Sequence, residues 1–172
     1  MQLKRGWVVT GLLILSAGAF GVSASAAGEG HPNVVVDVLA MKEVIQHDNA
    51  GRQTVQLKET ESTGPGDTLV YRILYRNEGT APAHDTQLVD PIPAGTLLIP
   101  GSWDTKGGEF SVSTDGGKTF ESYPARRAAK QADGTTRLQE VELSAYTHVR
   151  WTAKEPLPPG AERMTTFKVK VQ

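Results

Sequence analysis

The most specific spacing of chemically able residues is Ser113-Thr114-Asp115-Gly116-Gly117-Lys118-Thr119-Phe120, in the order Ser-x-Asp-x-Gly-x-Thr-aromatic. A carboxylate at Asp115 can accept amide hydrogens inside a turn. The glycines permit the dihedrals such a turn needs, and Phe120 can pin it to a core. The pattern predicts a hairpin brace made of Ser113, Asp115, Gly117, Thr119 and Phe120 rather than a catalytic group. Two sparser candidates remain as ligand contacts. Trp103, near a turn, could stack on a sugar or lid one end of the core. Arg126, Arg127 and Lys130 make a small basic patch, read as a solvated loop or as a contact for anionic envelope polymers.

No other spacing nominates a reaction. Glycoside hydrolysis needs two acids about 5–10 Å apart in a cleft, and no local pair offers itself. Asp48, Asp90, Asp104, Asp115 and Asp133 mostly sit beside Gly or Pro, which marks turns, and none belongs to a calcium loop of alternating acids. His31, His47, His84 and His148 lack metal-ligand spacing. There is no Gly-x-Ser-x-Gly elbow, no phosphate-binding glycine loop and no cysteine nucleophile. The expectation is no catalytic residue, no metal and no cofactor.

The elements that must hold these residues are strands. Leu69, Tyr71, Ile73 and Tyr75 alternate with Val70, Arg72, Leu74 and Arg76, which gives one buried and one wet face. Phe167, Val169 and Val171 alternate with Lys168, Lys170 and Gln172, and Val149 and Trp151 with His148, Arg150 and Thr152. Val34 to Leu39 is β-branched and continues through Met41 to Ile45. A modest strand at Thr54 to Leu57 follows the Asp48-Asn49-Ala50-Gly51 turn. Gly64-Pro65-Gly66-Asp67, Asn77-Glu78-Gly79-Thr80 and Leu157-Pro158-Pro159-Gly160 reverse the chain. Ala83 to Val89 and Thr96 to Ile99 read as strands. Asp90-Pro91-Ile92-Pro93-Ala94-Gly95 between them is expected outside any ladder, because proline lacks an amide donor. Phe110 to Ser113 and Thr119 to Tyr123 flank the Asp115 turn as a hairpin. Tyr123 to Gly134 reads as a loop with one helical turn, and Leu138 to Leu143 resumes strand pattern.

Many short strands without an amphipathic helix predict an all-β, immunoglobulin-like β-sandwich with Greek-key-type connections, a closed barrel being the rival. The Ser-x-Asp-x-Gly-x-Thr-aromatic motif is the Asp box of sialidase-like propellers, where it stabilises hairpins. One copy cannot build a propeller, which needs repeated blades.

Lys4 and Arg5, the uncharged run from Trp7 to Val22, and Ala24-Ser25-Ala26-Ala27 follow the order of a secretory signal peptide. Residues 1–27 are expected to be removed, 28–33 to form a flexible leader and 34–172 the sandwich domain. The run is shorter than the ~20 residues of a spanning helix, and nothing after Val22 is long enough to cross a bilayer. Cleavage leaves 16 basic against 19 acidic side chains, a balance that argues against nucleic acid. With no cysteine, the domain uses no disulfide and has no site for lipid attachment at a new N-terminus.

From Gly64 to Ser102 the chain resembles the conserved repeat domain family, also called domain of unknown function eleven. The matching residues are Pro65-Gly66-Asp67, Tyr71 with Ile73, Asn77-Glu78-Gly79, Ala83, Asp90-Pro91-Ile92-Pro93-Ala94-Gly95 and Gly101-Ser102. Thr147-His148-Val149-Arg150-Trp151 and Leu157-Pro158-Pro159-Gly160 fall where that family closes its sandwich. The resemblance implies an immunoglobulin-like domain of an envelope or surface protein, often in tandem arrays, with no catalytic residues to carry over. This chain has one copy.

Together these readings predict a periplasmic or extracellular structural or interaction module. Its partner would be an envelope or surface protein, or a second copy reached by exchanging the strand from Val34 to Leu39. A small-ligand or carbohydrate-binding module is the alternative.

Overall fold

The computed structural model describes residues 30–59 and 62–172; the expected signal peptide lies outside the described residues. Ten antiparallel strands follow one another: β1 (Val34–His47), β2 (Gln53–Lys58), β3 (Thr68–Asn77), β4 (Gln87–Pro91), β5 (Thr96–Leu98), β6 (Gly108–Ser113), β7 (Arg126–Lys130), β8 (Thr136–Glu140), β9 (His148–Ala153) and β10 (Glu162–Val171). A 3-10 turn spans Leu143–Ala145. One sheet has the order β2-β1-β3-β10-β5, another β4-β9-β6, and β7 pairs with β8 in a two-stranded sheet. The chain passes between the two larger sheets at β3–β4, β4–β5, β5–β6 and β9–β10, which is the crossing pattern of a Greek-key β-sandwich. Both sheets keep free edges, so the barrel alternative falls.

Period two builds the core. Leu69, Tyr71, Ile73 and Tyr75 of β3 point inward and are buried, while Arg76 on the opposite face is exposed. Phe167 and Val169 of β10 lie beside them, and Val149 and Trp151 of β9 face them from the second sheet. Phe167 stacks on Tyr71 at 5.0 Å and meets Trp151 at 5.6 Å, so aromatic contact joins the two sheets. Val34, Val36 and Val38 of β1 pack against the same core.

The turns carry most of the motif residues. At Pro65-Gly66-Asp67, Gly66 has φ +88°, a conformation that favours glycine, and Asp67 Oδ2 accepts from the Gly64 N–H at 2.8 Å. Lys42 on β1 forms an ion pair with the same carboxylate at 2.7 Å. At the end of β3, Asn77 is fully buried. Gly79 follows because a Cβ there would stand 2.2 Å from the His31 carbonyl oxygen. Pro93 accepts from Thr96 N–H in the turn before β5, and Gly95 and Gly101 both take positive φ around that strand.

Four local expectations are corrected. The second hairpin strand expected at Thr119 to Tyr123 does not form: the Lys118 and Thr119 amides are taken by the Asp115 carboxylate, and Glu121 alone bridges Val112. Before β1, the His31 and Asn33 carbonyls accept from Thr80 and Glu78, and the Asn33 N–H donates to Asn77 Oδ1. Asp90 and Pro91 lie inside a ladder, opposite Val149 and His148; β4 is an edge strand, so the missing proline donor faces no neighbour. The stretch expected as a loop with a helical turn holds β7, whose partner β8 takes the first half of the strand expected at Leu138 to Leu143 and ends at Glu140. The strand expected from Ala83 begins only at Gln87, and Ala83 instead bridges Leu157.

Candidate functional site

Two exposed apolar side chains, Ile45 and Val55, face each other on an arm of the sandwich, while Leu138 on β8 is exposed on a separate hairpin. β1 pairs with β3 from Val34 to Lys42, and with β2 from Lys42 to His47. Beyond Lys42 the two strands therefore run on as a ribbon of their own. Side chains along β1 alternate between faces: Val34, Val36 and Val38 are inward, so Ile45 points to the outer face, directly across from Val55. Both are 60% exposed. Leu57 lies on the same face, across from Glu43, whose carboxylate pairs with Lys168 of β10.

β2 is the terminal strand of its sheet, and among the described residues no strand covers its outer side. The Asp48 N–H donates to the Arg52 carbonyl at 2.9 Å, which makes His47 and Gln53 a pair without mutual bonds. Antiparallel pairs alternate from there, so the amides and carbonyls of Gln53, Val55 and Leu57 point away from β1. From Gln53 to Leu57 the edge carries no charge and no proline, the two devices that commonly blunt one. Sequence periodicity identified the strand but not its isolation; its signal was this uncharged Thr-Val-Gln-Leu alternation.

The Asp115 turn is held together by its own carboxylate. The carboxylate accepts from Ser113 Oγ at 2.7 Å, Thr119 Oγ1 at 2.6 Å, and the N–H groups of Lys118 and Thr119. The bonds from Thr119, with that from Ser113, hold its pKa well below the usual carboxylate range. Gly117 donates to Ser113 Oγ, and the Phe120 ring lies 4.4 Å from the Arg150 guanidinium.

Trp103 stacks on Phe110 at 4.1 Å and nearly parallel, and Tyr123 meets it edge-on at 4.7 Å. It heads a chain of rings through Phe110, Trp151 and Phe167 to Tyr71. The Trp151 indole N–H donates to the Asp104 carbonyl. One face of Trp103 is thus used within the chain. Arg126, Arg127 and Lys130 lie on β7 rather than in a loop. Arg127 holds Glu121 at 2.6 Å and Arg126 reaches Glu140 at 3.4 Å, so two of the three charges have carboxylate partners.

Asp90 is the buried group that the sequence placed at a turn. Leu88 and Asp90 share the inward face of β4, Ile92 is buried just past its end, and Asp90 is 3% exposed with Oδ2 unpartnered. Burial pushes its pKa up to about 7. Nearby Tyr71 is pushed up to about 12, by burial and then by the Asp90 charge. A crevice lined by Tyr75, Thr86, Trp151 and Thr165 has room for about one water molecule. These groups do not converge with Asp115, Trp103 or the β7 arginines on a shared cleft.

Among the described residues, no helix is long and apolar enough to cross a membrane. No family model, no curated protein and no solved structure matches the chain.

Proposed function

We propose that this chain is a non-enzymatic, exported interaction module of the bacterial cell envelope, which engages a partner protein by strand addition along β2. The observation that carries the reading is the open, uncharged edge at Gln53, Val55 and Leu57, on a ribbon that extends past the sandwich. An added strand would satisfy those amides and carbonyls, and side-chain contacts on alternate residues would select the partner. A lone two-stranded ribbon is marginal in water, so the arm gains most from a third strand. The order of residues 1–27 supports export, and the resemblance of the turn sequences to the conserved repeat domain family supports an envelope role. The carbohydrate alternative has less behind it, because Phe110 already covers one stacking face of Trp103.

The test is a photo-crosslinking residue placed at Val55 in living cells, with fractionation of the products. The expected result is an adduct with an exported protein, recovered from the envelope or the medium. A chain that stays in the cytosol, or yields no adduct at this position, overturns the proposal.

A further inference from the structure

We infer that the strand added to β2 is the β2 of a second copy, paired antiparallel about a two-fold axis through Gln56. The inference rests on the interaction-module reading above and names its partner. Directly opposed residues of two strands share a face of the sheet, so a self-pairing must centre on a residue rather than between two. Centring on Val55 would set Lys58 against Arg52 of the second copy, like charge on like. Centring on Gln56 removes that conflict, because Lys58 then faces Thr54 of the second copy.

The same register serves the backbone and the side chains. Val55 stands opposite Leu57 of the second copy, and the two-fold repeats that pair in reverse. Both residues present their amide and carbonyl outward, so each pair exchanges two hydrogen bonds. Gln56 meets Gln56 of the second copy at a position without backbone bonds, where the two chains come closest and side-chain amides can bond across. Ile45 of each copy lies next to Val55 on the outer face, so the joined sheet covers part of the exposed apolar surface of both arms. The contact is one short strand a side, which places it among weak, concentration-dependent interfaces.

The chain has no cysteine, so an introduced thiol is the sole thiol of each copy. Gln56→Cys would face itself in this register at a separation a disulfide can span, whereas Thr54→Cys would face Lys58. Purified protein is followed by sedimentation across a wide concentration range, and both variants by non-reducing electrophoresis under mild oxidation. The expected results are a dimer that grows with concentration, rapid cross-linking of Gln56→Cys, slow cross-linking of Thr54→Cys, and loss of the dimer in Val55→Pro. In the last variant the missing N–H points outward, away from β1, so the bonds between β1 and β2 stay in place and it should melt near the wild-type temperature. A monomer at every concentration, or equal cross-linking of both cysteine variants, overturns the inference. If in-cell adducts at Val55 then contain a different exported protein, the interaction-module reading survives; if there are none, both fall.

Discussion

The Asn77 side-chain amide donates to the Leu157 carbonyl at 2.9 Å, across 80 residues of chain. It also donates to Ala81 O at 2.7 Å, and its carbonyl oxygen accepts from the Asn33 and Gly79 amides at 3.0 Å. One buried side chain therefore joins the segment entering β1, the turn leaving β3 and the turn before β10. Asn77→Ala strands several buried backbone groups at once, and each left unpaired costs about 1–3 kcal/mol. We expect a loss of at least roughly 3 kcal/mol in urea unfolding. Asn77→Asp should also destabilise, because it sets oxygen against the Leu157 and Ala81 carbonyls. A loss below about 1 kcal/mol for the alanine variant would show that water replaces these bonds.

The second prediction concerns Asp90. Burial raises its carboxyl pKa to about 7 in the fold from an ordinary 3.8, so between those limits the folded state binds more protons than the unfolded one. Stability from this group is fully present below pH ~4, falls by about 1.4 kcal/mol per pH unit, and is gone above pH ~7. His148, lowered chiefly by burial, works the other way just below its ordinary value. The clean readout is therefore the difference from Asp90→Asn. That difference should move in favour of the variant as pH rises from 5 to 7.5, measured by urea unfolding. Parallel curves for the two proteins would place the ionisation elsewhere.

How far these features were legible depends on how local their causes are. The inward face of β3, the alternation of β10 and the Asp115 brace each follow from neighbouring residues, so the chain announces them. Strand β7 did not announce itself: Arg126-Arg127-Ala128-Ala129-Lys130 has weak strand propensity, and its form comes from pairing with β8 and from ion pairs to Glu121 and Glu140. Asp90 was misplaced because Pro91 reads as a ladder breaker, a rule that relaxes on an edge strand. Which strand is an edge depends on sheet order, set by contacts far apart in sequence. The exposure of Ile45 and Val55 was hidden for the same reason.

The brace at Asp115 yields the third prediction. Asp115→Ala leaves the Lys118 and Thr119 amides and two hydroxyls without their shared acceptor, so the melting temperature should fall by a few degrees. The carboxylate is held below its unfolded value, so its contribution is present above pH ~4 and lost as pH falls through the folded value. The gap between variant and wild type should therefore narrow in acid, as scanning calorimetry at pH 6 and pH 2.5 can show. A gap unchanged at the lower pH would mean that the carboxylate charge is not what braces the turn.

Trp103 separates a structural from a ligand-binding role. Its ring is half-buried, stacked on Phe110, and linked through Trp151 and Phe167 to the centre of the sandwich. Trp103→Ala removes the first member of that chain and leaves Phe110 and Tyr123 with an unfilled flank. Large-to-small changes at fully buried aromatics cost about 3–5 kcal/mol, and partial exposure should reduce this to roughly 2–3 kcal/mol. Trp103→Phe should recover part of the loss, because it restores a ring against Phe110. A glycan array gives the opposing readout: a ring that serves the core should leave both wild type and variant without bound sugar. If alanine leaves the unfolding curve unmoved while wild type alone captures a glycan, the stack with Phe110 is a binding platform and the sandwich is a carbohydrate module.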